Sequence, residues 1–407
     1  MAKNIQPTAI LASFRVSSAS LLKPLLALSA VAKPNPAIPV YEGVLLEYYG
    51  LEVLHLTATN GETTLSQRLA VAAGTDRWRT VVPLAKLLDT LKMLPDQPLV
   101  CAVHAPVEAP SYGRPVNRLH LQSSNGLFQL ACLDEQDWPT SSTETEEPFS
   151  LHMHVGELQA ALAGTVPVVS TDELRPAMTG VLVEVTPERL CFVATDGHRL
   201  NRWKLNTREG VSTRKQFIIP GPAAKLLLGL LKNALGEVDL LLTAGRASVQ
   251  MVSQPDQGWG WHCRLIADRY PDYENVIPLS LPSKLLIPRQ ALRGALSRLS
   301  AYAGHDRAVR LRLDEQQDSN QVEVWAQDLD FAREAHEQVG CFYAGATIEI
   351  GFDAQLLQGQ LALLPGDELQ VQMSSPSRAC LLYGSGQNAD APELMALIMP
   401  LILTGRF

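Results

Sequence analysis

Thr80–Leu94 reads TVVPLAKLLDTLKML. A short β-like run reaches Pro83, and leucines then recur at Leu84, Leu87, Leu88 and Leu91, the spacing of one face of an α-helix. Proline is tolerated at the entry to a helix because its missing N–H would have no intrahelical partner there. The same passage occurs five more times: FRVSSASLLKPLLAL from Phe14, FSLHMHVGELQAALAG from Phe149, FIIPGPAAKLLLGLLKNA from Phe217, KLLIPRQALRGALSRL from Lys284 and IEIGFDAQLLQGQLALL from Ile348. Anchored on Leu22, Leu88, Leu158, Leu226, Leu292 and Leu356, the copies lie 64 to 70 residues apart. Pro220 and Pro288 precede their helices as Pro83 does.

Between the helical segments run alternating stretches bounded by turn residues, among them GVLLEYYG, LEVLHLTATN, RLHLQSS, GLFQLACL, GVLVEVT, RLCFVATD, VDLLLTAG, QVEVWAQD and RACLLYG. They read as antiparallel strands with one wet face. One repeat is therefore strand, helix, then about three strands. That length exceeds the common solenoid units. Taken in pairs, the repeats give three domains of about 135 residues. The acidic, polar DWPTSSTETEEP (Asp137–Pro148) reads as a linker, and the proline-bearing RYPDYENVIPLSLPS (Arg269–Ser283) opens the third domain. The expected boundaries are 1–146, 147–278 and 279–407. HAPVEAPSYGRP (His104–Pro115) reads as an extended hairpin loop.

Length and composition fit this organisation. The chain has 407 residues, and about 150 per domain gives two or three domains. No run of about 18 apolar residues predicts a membrane span, and the first residues make a poor secretory signal. The six cysteines stand singly with no CxxC pair, which predicts a reducing, cytoplasmic setting and no disulfide or zinc framework. A net charge of -8 excludes a chain that is basic all round. It does not exclude one whose few cations share a surface. Lys23, Lys86, Lys92, Lys225, Lys232, Arg293 and Arg298 take the polar side of the predicted helices.

The sharpest local string is FVATDGHRLN, Phe192–Asn201, in which a strand runs into the Asp196–Gly197 turn dipeptide. Asp196 and His198 offer an acid/base pair on paper, but no nucleophile elbow or metal-spaced histidine cluster accompanies them. This segment resembles the bacterial DNA polymerase III beta subunit, the replicative sliding clamp, whose second domain carries ATDGHRL. Arg175 and Gly180 in DELRPAMTGVLVEV, the segment RYPDYENVIP and the closing LIMPLIL resemble further family strings in the same order. With the repeat, the resemblance runs from about Phe14 to Leu403.

The resemblance implies an α+β clamp fold: three similar domains of two β-α-β-β-β half-units, with helices lining a ring and antiparallel sheets outside. It implies a non-catalytic protein without cofactor or metal that pairs head to tail with a second copy and encircles duplex DNA regardless of sequence. It further implies peptide partners: the polymerase III alpha subunit, the clamp loader, and other polymerases and repair proteins. The setting implied is cytoplasmic and nucleoid-associated.

Carried over by position, the walls of the peptide groove are Arg175, Met178, Thr195, Gly197, His198, Arg199 and Leu200. They also include Pro271, Val276, Leu397, Met399, Pro400 and Leu401. Arg175 and Arg199 are expected to bond peptide carbonyls or acids. The DNA-facing residues are Lys23, Lys33, Lys86, Lys92, Lys225, Arg293 and Arg298; the ring joint is Phe128 and Leu130 against Ala301 and Tyr302.

The chain departs from the family pattern in four places. Pro176 and Ala177 follow Arg175 where aromatics are common, Asn35–Pro36 stands for a usual Arg-Pro, Gly221–Ala223 lacks a basic pair, and Thr404–Phe407 extends the end. Two other readings are a divergent clamp paralogue acting as a repair adaptor or peptide-binding decoy, and a hydrolase using Asp196 and His198. His152-Met153-His154 could chelate a metal but lacks a third ligand and reads as two exposed imidazoles on a strand; Trp259-Gly260-Trp261 could stack on bases but reads as a packing hairpin.

Overall fold

A computed structural model describes residues 9–35, 37–50, 52–73, 77–105, 116–139, 147–206, 213–251, 258–314, 320–386 and 393–403. Pro36, Pro106–Pro115, residues 140–146 of the expected linker and Thr404–Phe407 lie outside the described residues.

Six half-units follow one another, each a strand, a helix and three strands. The first is β1 (Ile10–Ser17), α1 (Ser18–Leu28), β2 (Gly43–Tyr48), β3 (Val53–Thr59) and β4 (Thr63–Ala70), trailed by the short β5 (Ala72–Ala73). The second is β6 (Trp78–Pro83), α2 (Leu84–Lys92), β7 (Pro98–His104), β8 (Arg118–Gln122) and β9 (Leu127–Ala131). The third is β10 (Phe149–His154), α3 (Val155–Thr165), β11 (Gly180–Val185), β12 (Arg189–Thr195) and β13 (Arg199–Asn206). The fourth is β14 (Lys215–Pro220), α4 (Gly221–Leu231), β15 (Glu237–Leu242), β16 (Arg246–Met251) and β17 (Trp259–Arg264). The fifth is β18 (Ser283–Pro288), α5 (Arg289–Leu299), β19 (Ala308–Leu313), β20 (Gln321–Asp328) and β21 (Arg333–Gly340), with the short β22 (Phe342–Ala344). The sixth is β23 (Ile348–Asp353), α6 (Ala354–Leu363), β24 (Glu368–Met373), β25 (Cys380–Gly384) and β26 (Glu393–Ile398).

Each helix starts on the residue that follows its strand, so no loop intervenes. Pro83, Pro220 and Pro288 occupy the N-cap positions of α2, α4 and α5. At α1 and α6 a side chain does the capping: the Ser17 hydroxyl accepts the Ser20 N–H, and Asp353 accepts those of Gln355 and Leu356.

Neighbouring half-units exchange first strands. β1 lies beside β7 and β6 beside β2; β10 lies beside β15 and β14 beside β11; β18 lies beside β24 and β23 beside β19. All pairings are antiparallel. The result is a five-stranded sheet β5-β1-β7-β8-β9, an eight-stranded sheet β10-β15-β16-β17-β4-β3-β2-β6, a nine-stranded sheet β14-β11-β12-β13-β26-β25-β24-β18-β22 and a four-stranded sheet β21-β20-β19-β23. The chain divides into two compact units, one built of Met1–His154 with Gly236–Arg264, the other of Val155–Leu235 with Leu265–Phe407. The first two sheets belong to the former and the last two to the latter.

Helical phase differs from the sequence reading at three places. Leu88, Leu158 and Leu292 are buried as anchors should be, but Leu22, Leu226 and Leu356 are only half-buried. Leu21, Leu227 and Leu357 take the inward positions instead. In runs of consecutive leucines the pattern fits two phases one residue apart, and only the underlying sheet selects between them. Trp261 is buried, in keeping with a packing role for the Trp259–Trp261 hairpin.

The phase is testable by urea denaturation. Leu227→Ala removes a fully buried side chain and is expected to lower stability by about 2–5 kcal/mol. Leu226→Ala is expected to cost less than half as much.

Candidate functional site

The turn between β12 and β13 is built by its own side chains. The Asp196 carboxylate accepts the N–H groups of His198 and Arg199 at 2.9 and 3.0 Å on one oxygen, and Arg199 Nε at 2.9 Å on the other. The Thr195 hydroxyl donates to the Arg199 carbonyl at 2.8 Å and accepts the Gly197 N–H at 3.1 Å. Gly197 sits at φ +90°, and a β-carbon there would stand 3.3 Å from the Arg175 guanidinium. The positive φ favours glycine, while the Arg175 side chain could give way to a small residue. With both carboxylate oxygens engaged locally, Asp196 shapes the turn and does not form an acid/base pair with His198.

β13 then pairs with β26, placing Leu200 opposite Leu397, and the Met399 N–H continues the ladder to the His198 carbonyl at 2.8 Å. The adjoining wall is the segment Pro271–Val276, which ends in a 3-10 turn from Tyr273 to Val276. Together they enclose a mainly apolar cavity of about 260 Å³. Its lining includes Met178, Thr195, Gly197, His198, Arg199, Leu200, Pro271, Val276, Leu397 and Met399, all expected from the sequence. Leu200 and Leu397 are buried beneath it, whereas Val276 is 52% and Met399 39% exposed at its lips.

Asp272 and Tyr273 also line the cavity and were missed. Pro271, Asp272 and Tyr273 line it consecutively, so no alternation in the YPDY string marks them. Three expected residues fall elsewhere. Arg175 stands at the rim with its Nε on Asp172 at 2.8 Å. Pro400 is outside the lining, and Leu401 bonds to Gly351 and faces a separate cavity of about 320 Å³. Arg199 departs from expectation in its chemistry. Its guanidinium is held by Asp196 and by the Pro167 carbonyl at 2.9 Å, and lies over Gly359 of α6. Arg199 thus helps fix the turn while lining the cavity. A larger cavity of about 950 Å³, on the sheet that ends in β21, is lined largely by charged and hydroxyl side chains.

Lys23, Lys33, Lys86, Lys92, Lys225 and Arg293 are exposed and make no salt bridge with any described residue. Arg298 differs, since Glu337 on β21 holds its guanidinium through two bonds of 2.8 and 2.6 Å. The basic character is uneven as well: α3 and α6 contain no lysine or arginine. At the expected joint, Phe128 and Tyr302 are 37% and 44% exposed, Ala301 is exposed and Leu130 half-buried. Leu127, Leu329 and Phe331 add exposed apolar surface that the sequence reading passed over.

Three family models match the chain: the N-terminal domain of the DNA polymerase III beta subunit at residues 12–142, its central domain at 153–272 and its C-terminal domain at 274–401. The chain belongs to the bacterial DNA polymerase III beta sliding clamp family. Its function is that of a beta sliding clamp, a non-catalytic processivity factor of DNA replication. The beta sliding clamp of Pseudomonas aeruginosa is 28% identical over 393 residues, covering 96% of this chain and all of that one. That of Synechococcus elongatus is 27% identical over 386 residues, covering 92% and 95%. A solved sliding clamp of Pseudomonas aeruginosa bound to griselimycin superposes with a TM-score of 0.84 at 27% identity, over 96% of this chain and 100% of that one. No helix among the described residues of this clamp is long and apolar enough to cross a membrane.

His152, outside the cavity, spans two carboxylates, Asp239 at 2.8 Å and Glu237 at 3.1 Å. The hydrogen bond to Asp239, with the charge of Glu237 beside it, raises the His152 pKa above the ordinary imidazole value. Any stability it supplies is present below the unfolded pKa of about 6.5 and is lost as pH rises through the higher folded value. An NMR titration should place His152 above His120, whose pKa is lowered by burial and by its neighbours His104 and Arg118.

Proposed function

We propose that two copies of this clamp close head to tail into a ring around duplex DNA, and that the cavity beside the β13–β26 pairing takes linear peptide segments of replication and repair proteins. The closure reading rests on one observation, the fate of the last strand of each half-unit. These strands are β4, β9, β13, β17, β21 and β26. Within the chain β4 pairs with β17, and β13 pairs with β26. β9 and β21 are left as the outermost strands of their sheets.

The two seams join the first half-unit to the fourth and the third to the sixth. The same rule would join the second to the fifth, which within one chain remain unjoined. β9 of one copy against β21 of another satisfies it twice in a head-to-tail pair. Bare strand edges are otherwise a liability, and both carry or adjoin exposed apolar side chains: Leu127 and Phe128 on β9, Tyr302 and Phe331 near β21. A three-domain division at 1–146, 147–278 and 279–407 follows the paired half-units.

For DNA, the proposed contacts are Lys23, Lys33, Lys86, Lys92, Lys225 and Arg293, exposed cations that attract phosphate without reading sequence. Ring topology supplies retention, so a net acidic chain needs no tight grip. For peptides, a buried leucine floor with exposed Val276 and Met399 lips suits a leucine or phenylalanine anchor, and the exposed face of Arg175 suits its polar flank.

Light scattering should give twice the chain mass for the native protein, and Phe128→Asp should give the single-chain mass. A single-chain mass for both would favour the adaptor reading. With a loader present, the ring should persist on circular DNA and leave linear DNA; equal retention would indicate ordinary surface binding. Met399→Ala should weaken a fluorescein-labelled peptide ending in Leu-Phe about tenfold without changing the oligomeric mass.

A further inference from the structure

The wall Pro271–Val276 has little regular structure of its own, so something else must hold it beside the strand seam. Tyr273 does this from within. Its ring is buried in the cluster of Leu182, Cys191, Val193, Leu200 and Leu397, directly under the cavity. Its hydroxyl donates to Glu184 Oε2 at 2.7 Å. Glu184, next to the end of β11, is completely buried, a costly position for a carboxylate unless every lone pair is used.

The other oxygen of Glu184 is fully engaged. Oε1 accepts Arg214 Nε at 2.8 Å, a second Arg214 nitrogen at 2.5 Å and Gln216 Nε2 at 2.8 Å. Burial alone would push the carboxyl upward, but the bonds from Tyr273, Arg214 and Gln216 outweigh it and hold the pKa below its usual value. Glu184 is thus ionised and pulls on the wall through the Tyr273 hydroxyl. A second tie runs from Arg189 at the start of β12 to Glu274, the next residue of the wall. None of Glu184, Arg214, Gln216 or Arg189 lines the cavity.

We infer that Glu184 is a positioning residue for peptide binding, which sets the cavity's width by anchoring Tyr273 and with it Pro271 and Val276. The inference rests on the peptide reading of the cavity. The geometry makes the anchor directional. Loss of the Glu184–Tyr273 bond frees the wall to move outward, while the opposite wall, fixed by the β13–β26 ladder and the Asp196 turn, stays in place. Peptide affinity then falls although every cavity-lining side chain except the Tyr273 hydroxyl is unchanged.

The test uses the full chain and the labelled Leu-Phe peptide, with methyl NMR of Val276 and Met399 as the spectroscopic readout. Tyr273→Phe and Glu184→Gln should each weaken binding about three- to tenfold, and the double variant should be no weaker than the worse single one, since both break the same link. The Val276 methyl signals should shift and those of Leu292, in the core of the α5 domain, should not. Should Glu184→Gln fail to fold, Arg214→Gln removes the same support from the exposed side and should shift Val276 in the same sense. Unchanged affinity and unmoved Val276 signals in Tyr273→Phe and Arg214→Gln would overturn the inference, provided Met399→Ala still weakens the peptide. If Met399→Ala also leaves affinity unchanged, the peptide reading itself fails.

Discussion

Backbone hydrogen bonding between the terminal strands of half-units holds each compact unit together. A four-stranded sheet made by one exchanged pair of half-units ends in a bare edge, with a row of unpaired N–H and C=O groups that must find partners. The β4–β17 and β13–β26 ladders supply them. Side chains reinforce the seams: Trp261 faces Leu65 across the first, and Trp203 faces Leu394 across the second. Glycine lets the helices come close to the second seam. A β-carbon at Gly164 of α3 would meet Trp203 at 3.1 Å, and one at Gly359 of α6 would meet Arg199 at 2.8 Å.

The cavity is a by-product of that seam. Where β13 begins and β26 ends, the ladder runs only one bond further, from the Met399 N–H to the His198 carbonyl beside the Asp196–Gly197 turn. Leu200 and Leu397 are buried as core residues, yet they form a floor because nothing regular covers them on one side. The lips are exposed for the same reason. A site made from leftover core surface needs few dedicated residues, and Arg199 illustrates the economy: a charged side chain inside the lining that also ties the turn to the Pro167 carbonyl.

Much of this was legible in the sequence because it is local. Leucine spacing, prolines at helix entries and the Asp-Gly turn each depend on a few neighbouring residues. The seam strands were harder to read. TTLSQRLA, RLNRWKLN, WGWHCR and REAHEQVG become β4, β13, β17 and β21, yet their alternation is weak, since strands at a seam or an edge meet other strands as much as a core. The family strings identified the cavity's residues but not their bonding. That Arg298 is spent on Glu337, or that Leu401 turns toward Gly351, depends on contacts between residues 39 and 50 positions apart. Tyr273 was passed over because a tyrosine in a proline-rich stretch carries no periodic signal.

The β13–β26 ladder joins segments about two hundred residues apart. During synthesis, β13 leaves the ribosome long before the strand that will cover it. Until then Leu200 and Trp203 lie along an open, sticky margin, and half the cavity floor does not exist. On the proposed peptide reading a growing chain has no complete site to offer, and its vulnerability to mispairing lasts through the translation of most of the C-terminal half. The whole cavity arrives late and all at once, with the strand that also seals the margin.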